Sequence, residues 1–301
     1  MAEVESSEYW AKKGDVELYL YRKRLTGAAG HGRRPVLFLV HGSSYCGRSA
    51  FDLTVPGRSD YSLMDRFAGY GFDVWTMDHE GYGRSSRTSC NSDIASGVED
   101  LRAGTALVER ETGSSRFAFY GQSSGALRVA AFAAACPERA ERLVLAALVW
   151  TGTGSPTLAQ RREKLPWFRS HHARPIDRAF FHNILNRDKP GMYEDAVINA
   201  LADAELQYGD SVPTGTYIDM CANLPIVDPR QVLCPVLIIR GEHDGIATEE
   251  DLLAFYQALP NKDKQFVILP GQAHVAPIGV NRHRFWHVMH AFLTMPERGD
   301  V

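Results

Sequence analysis

Along most of the chain, short unbroken apolar runs alternate with longer stretches whose apolar residues recur at helical spacing. The runs are 35–40 (PVLFLV), 72–78 (FDVWTMD), 116–121 (RFAFYG), 142–150 (RLVLAALVW), 235–241 (PVLIIRG) and 265–271 (QFVILPG). Continuous apolarity over so few residues is what a strand covered on both faces requires. Val16–Leu25 (VELYLYRKRL) alternates instead, as an edge strand does. Helices are predicted over 61–70, 94–111, 124–136, 249–258 and 282–295, with Asp93 capping the second and Thr248 the fourth. The alternation predicts an α/β fold, a mainly parallel sheet flanked by helices, with any ligand site at the carboxyl ends of the strands.

One stretch breaks the rhythm. Between 151 and 231 no strand is obvious, aromatics are frequent, and helical fragments such as AQRREKLPWFRS and MYEDAVINALADAELQY follow one another. This reads as a helical cap (lid) inserted at the sheet edge, leaving 1–150 and 232–301 as the core. Its aromatics (Trp167, Phe168, Phe180, Phe181, Tyr193, Tyr208, Tyr217) read mostly as cap interior, with one or two reaching a pocket. Its basic run at 161–174 (RREKLPWFRSHHAR) reads as a solvated helix face in preference to an anion clamp.

Composition narrows the partners. In 301 residues, 45% apolar and 23% charged, a formal net charge of −3 leaves no broad basic surface for nucleic acid. The five cysteines, Cys46, Cys90, Cys136, Cys221 and Cys234, are odd in number and contain no C-x-x-C pair, which argues against a disulfide framework and a zinc site. No run approaches the roughly 18 apolar residues of a membrane span, and the start is acidic and polar. The expectation is a cytoplasmic protein with no membrane or nucleic-acid partner, acting on a small molecule without cofactor or metal.

The chemistry starts at 121–125, GQSSG, where an apolar run meets an alanine-rich helix. A serine held between strand and helix, with glycines two positions either side, is a nucleophile elbow: the turn presents the Ser123 hydroxyl at the sheet edge, and the following helix points its amide donors toward developing negative charge. Serine needs a base oriented by an acid. Asp244 lies three residues past Gly241 and His274 three past Gly271, each just beyond an apolar run and so at the same sheet edge. Glu242 competes for the acid role and His243, His283, His287 and His290 for the base; of these histidines the last three lie in a predicted helix.

These motifs, in the order Ser, Asp, His, resemble the α/β-hydrolase superfamily. LVHGSS after the 35–40 run is similar to that family's His-Gly oxyanion loop, DHEGYGRSS to its D-x-x-G-x-G-x-S turn, and the 151–231 insertion sits where the family carries its cap. The resemblance implies a catalytic triad of Ser123, Asp244 and His274, oxyanion donors from the backbone N–H groups of Ser43 and Ser124, and a bracing role for His41. Asp78, Glu80 and Arg84 are assigned to turn scaffolding, and Tyr45 and Trp150 to the substrate pocket. The activity implied is hydrolysis of a carboxylic ester, small or medium-sized with an apolar part, a monoester bearing a carboxylate being the refinement to test first. Carbon–carbon bond, lactone or amide hydrolysis and acyl transfer fit the same triad. A ligand-sensing protein that keeps the fold is the alternative of another class.

Overall fold

The computed structural model describes residues 3–27 and 33–296. Met1, Ala2, 28–32 and 297–301, and with them the outer limits drawn at 1 and 301, lie outside the described residues. Ten strands form among the described residues: β1 (Val4–Lys13), β2 (Val16–Leu25), β3 (Val36–Val40), β4 (Asp73–Met77), β5 (Phe117–Gln122), β6 (Ala140–Ala146), β7 (Ala173–Pro175), β8 (Ser211–Pro213), β9 (Val236–Gly241) and β10 (Lys264–Leu269). Eight of them make one sheet in the order β1-β2-β4-β3-β5-β6-β9-β10, while β7 and β8 pair separately.

From β4 through β10 neighbouring strands are parallel; β1–β2 and β2–β4 are antiparallel. The continuous apolar runs occupy the sheet centre because both of its faces are covered. β3 sends Leu37 and Leu39 into one buried cluster, together with Phe67 and Phe285 from the helices Leu63–Gly69 and Arg282–Leu293. Val36, Phe38 and Val40 enter the other, with Leu101, Leu127 and Phe255 from Ile94–Thr112, Ser124–Ala135 and Glu249–Ala258. Asp93 and Thr248 do cap their helices, each side chain accepting the N–H three residues on.

Strand order reverses between β3 and β5, since the chain goes from β3 outward to β4 and returns to β5 on the other side. Such a switch point opens a crevice between the two carboxyl ends, because the connections leave in opposite directions. His41 to Ser43 follow β3 and Ser123 follows β5, so both halves of the predicted oxyanion site flank that crevice.

Three differences from the sequence reading have local causes. The alternating Val16–Leu25 strand is not the edge: it lies between β4 and β1, and β1, mostly polar and paired with it over ten residues, is the outer edge exposed to water. Second, the 142–150 run does not stay a strand to its end. It leaves the sheet after Ala146, and Ala147 takes φ 53°. The backbone N–H groups of Trp150, Thr151 and Gly152 then all donate to the Asp251 carboxylate. Finally, the stretch between β6 and β9 is not purely helical, because β7 and β8 close a short antiparallel ribbon within it. Among the described residues no helix is long and apolar enough to cross a membrane.

Candidate active site

The turn after β5 has little freedom. Ser123 sits at φ 57°, ψ −121°, a left-handed conformation costly for a residue with a side chain, and its N–H donates to Ala146 O at 2.9 Å. A Cβ on Gly121 would lie 2.6 Å from Gly125 O and from Ala126 Cα. One on Gly125 would lie 2.3 Å from Val40 O and 2.5 Å from His41 O. All of these are backbone atoms that cannot yield, so both glycines are needed for the helix to start directly against the end of β3. The price is strain at Ser123; the result is a side chain that leaves the sheet at its carboxyl edge.

Asp244 and His274 come together across adjacent loops. His274 Nδ1 donates to Asp244 Oδ1 at 2.8 Å, and the same oxygen accepts the N–H groups of Ile246 (2.8 Å) and Ala247 (3.1 Å). Burial opposes the charge on Asp244, but the His274 imidazole and these bonds outweigh it and hold the carboxyl below its ordinary range. Gln122, the residue before Ser123, donates its side-chain N–H to His274 O at 2.8 Å and thereby ties the loop after β10 to the turn after β5. On the other side Val275 N donates to Tyr193 Oη at 2.9 Å. Ser123 and His274 line one cavity, although no hydrogen bond joins them in this arrangement.

The loop after β3 is braced from behind. His41 is fully buried and bonded through both ring nitrogens: Nδ1 donates to Gly42 O (2.8 Å) while Nε2 accepts the N–H of His79 (3.1 Å). Burial and the neighbouring His79 and Arg128 push its pKa well below the usual imidazole value, so it stays neutral. Tyr82 Oη donates to Ser43 O (3.1 Å), and the hydroxyls of Ser43 and Ser124 meet at 2.7 Å. Those contacts fix Ser43 beside the N-terminus of the helix Ser124–Ala135. The backbone N–H groups of Ser43 and Ser124 have no acceptor among the described residues.

The turn residues form a frame. Asp78 accepts the N–H of Gly47 (2.9 Å) and of Arg84 (3.0 Å), Glu80 binds Lys13 Nζ (2.7 Å), and Arg84 pairs with Glu8 (2.7 Å). Glu205, from the helix Asp195–Leu206, comes down onto the same frame and accepts the N–H of Cys46 at 2.9 Å. Burial, with the Glu205 carboxyl adding, raises the Asp78 pKa to about 7; burial raises Glu205 as well. The unfolded chain loses the Asp78 proton near the ordinary 3.8 while the folded chain keeps it to about 7. The folded state therefore binds more protons in that window, and stability falls as pH rises through it. Glu205→Gln removes one of the two facing carboxyls. Its melting temperature should drop less between pH 5 and pH 8 than that of the unsubstituted protein; an equal drop would remove this pair as the cause.

The cavity over Ser123 has a volume of about 30 Å³, room for a water or two. Its walls include Gly42, Ser43, Tyr45 and Gln122 on the sheet side and Arg161, Ile184 and Arg187 from the stretch between β6 and β9. Tyr45, expected from the sequence in a substrate pocket, is on this wall. Trp150 is not: once the chain leaves the sheet at Ala147, its indole N–H donates to Val227 O at 3.0 Å and its ring packs on Phe255. None of the seven aromatics singled out in the insertion lines the cavity, although Tyr217 Oη reaches its wall at Ser44 Oγ (3.2 Å). Nor is the basic run wholly solvated. Arg162 and Arg169 are exposed, but Arg161 turns into the cavity. Gln122, Ile184, Arg187, Ile246 and Val275 went unnoticed in the sequence because no motif marks a lining residue.

Residues 55–277 match the family model described as serine aminopeptidase, S33. Among curated proteins none matches in sequence. Many solved structures share the fold. A bromoperoxidase from Bacillus anthracis is 19% identical, with a TM-score of 0.70 over 95% of this chain and 99% of that one. An enol-lactonase from Burkholderia xenovorans LB400 is 18% identical (TM-score 0.65, 95% and 100%), and a carboxylesterase from Bacillus subtilis 15% (TM-score 0.67, 97% and 93%). Identities this low carry the fold alone.

Proposed function

Given that the chain belongs to the α/β-hydrolase superfamily, through the serine aminopeptidase S33 family, we propose that it is a serine hydrolase cleaving a carboxylic ester through an acyl-enzyme on Ser123. The observation that carries this reading is the 2.8 Å bond from His274 to Asp244, with His274 facing the cavity that Ser123 also lines. In the proposed reaction His274 Nε2 takes the hydroxyl proton as Ser123 Oγ bonds to the ester carbonyl carbon. The oxyanion is held by the N–H groups of Ser43 and Ser124. The bond to the alcohol oxygen then breaks, and His274 gives that oxygen the proton. Water, deprotonated by His274, adds to the acyl-enzyme and releases the acid, returning the proton to Ser123. Asp244 holds Nδ1 protonated, so that Nε2 is the basic nitrogen, and offsets the imidazolium charge.

Residues 151–231 act in this reading as a lid that covers the site, supported by the contribution of Arg161, Ile184 and Arg187 to the cavity wall. A carboxylesterase and an enol-lactonase of the same fold make ester and lactone bonds the first to try. Aminopeptidase activity is disfavoured by charge. A substrate's free α-ammonium seeks an anion, whereas the charged side chains lining the cavity are Arg161 and Arg187.

Covalent labelling with a fluorophosphonate tests the reading. One adduct is expected, mapped to Ser123 by peptide mass spectrometry, together with turnover of p-nitrophenyl esters of short acids. Labelling at another residue, or none under conditions that label a control esterase, overturns it.

A further inference from the structure

Two cations face the cavity, and they are satisfied very differently. Arg187 forks onto Asp188, Nε to Oδ1 at 2.6 Å and Nη2 to Oδ2 at 2.9 Å. Arg162, next to Arg161 in the same helix (Pro156–Arg162), donates to Cys221 O at 3.2 Å. Arg161 has neither an ion pair nor a hydrogen bond among the described residues; its guanidinium lies 5.2 Å from the centroid of the Tyr217 ring. A third guanidinium, that of Arg174, lies 5.0 Å from the same ring and is likewise without a carboxylate among the described residues. Burial, with the like charges of Arg187 and Arg174 adding, pulls the Arg161 pKa below its ordinary value.

A partly buried cation without an anion is unfavourable, and a chain with 36 acidic residues had carboxylates available to neutralise it. The aromatic ring compensates in part, since a π-face attracts a guanidinium without using its N–H donors. Those donors remain free for a ligand that enters the cavity. A guanidinium presents a planar fork that matches a carboxylate in geometry and charge. Arg161 and Ser123 line the same cavity, so one small ligand can meet both. A carboxylate is the smallest common anion that fits the fork.

We propose that the substrate carries a carboxylate in addition to its scissile ester, and that Arg161 binds it. The inference rests on the ester-hydrolase reading and names the substrate class: half-esters of dicarboxylic acids, or closely similar anionic esters. Arg187, already paired with Asp188, adds a positive field rather than a second fork. Because Arg161 belongs to the insertion and Ser123 to the sheet, the bound anion also draws the insertion down over the reacting carbonyl.

The test compares two esters of matched length, mono-p-nitrophenyl glutarate and p-nitrophenyl valerate, in the unsubstituted protein and in Arg161→Gln, Arg161→Lys and Arg169→Gln. The unsubstituted protein should favour the anionic ester in kcat/KM by about 10- to 100-fold, the usual size of a hydrogen bond to a charged group. Arg161→Gln should bring the ratio near one, and Arg161→Lys, which keeps the charge but loses the fork, should fall between. Arg169→Gln, an exposed position in the same basic run, should keep the original ratio. A ratio of one in the unsubstituted protein, or one that survives Arg161→Gln, overturns the assignment. Calorimetric titration with glutaric acid monobutylamide and its neutral analogue N-butylvaleramide separates this inference from the hydrolase reading. Arg161-dependent binding of the monoamide without turnover of either ester upholds the anion site and rejects the chemistry. Turnover of the valerate with no binding of the monoamide does the reverse.

Discussion

Ser123→Ala is expected to lower kcat on any ester the protein cleaves by about a million-fold, the loss that follows when a triad nucleophile is removed. Alanine keeps the backbone of the turn, and the neighbouring N–H groups of Ser43 and Ser124 remain in place. The variant should therefore still bind substrate and show residual catalysis of about a thousand-fold or more over water. Initial rates on a p-nitrophenyl ester, with circular dichroism to show an intact fold, measure the effect. The φ of 57° at Ser123 strains alanine as it does serine, so stability should change little. A loss of only a few-fold would reject Ser123 as the attacking group.

The second large effect is at Asp244. Asp244→Ala should cost kcat about 10⁴-fold, because His274 Nδ1 then has no acceptor and the imidazolium no counter-charge. Asp244→Asn is more telling. All three donors, from His274, Ile246 and Ala247, converge on the single oxygen Oδ1, whereas Oδ2 is buried without a partner. An asparagine can set its carbonyl oxygen where Oδ1 stands and its amide where Oδ2 stands, so the tautomer of His274 survives and only the charge is lost. The Asn variant should consequently retain at least ten-fold more activity than the Ala variant. Equal rates would mean that orientation of the imidazole contributes nothing and that Asp244 acts through charge alone. Acid tells the same story: the Asp244 contribution to stability is present above the ordinary aspartate pKa and disappears as pH falls through its lower folded-state value.

The parts of the fold and site that could be read from the sequence are those encoded over a few residues. GQSSG sets much of its own geometry, because Gly121 must clear Gly125 O and Ala126 within the same turn, while Gly125 must clear Val40 O and His41 O at the end of β3. The meeting of Asp244 and His274 is legible because a parallel sheet delivers every post-strand loop to one edge. What escaped depends on partners distant in the chain. β1 is polar, and only the Gly14-Asp15 turn, with Gly14 at φ 58°, signals its pairing with β2. Trp150 leaves the pocket because Asp251, a hundred residues on, gathers the N–H groups of 150–152. Arg161 and Arg162 look alike in sequence; a rotation of one helical position sends one into the cavity and the other to Cys221. The seating of the insertion decides that, and no local pattern records it.

Two bonds tie that insertion to the turn after β3, Glu205 to Cys46 N and Tyr217 Oη to Ser44 Oγ. Ser44 directly follows Ser43, the proposed oxyanion donor, and Cys46 lies two places further on. If the proposed lid lifts to admit a molecule, it pulls on the segment that carries the proposed oxyanion donor. In that reading entry and acceleration are mutually exclusive states of one latch, and a guest too large for the latch to shut behind it is held without being transformed. Discrimination among guests is then written in turnover number more than in affinity.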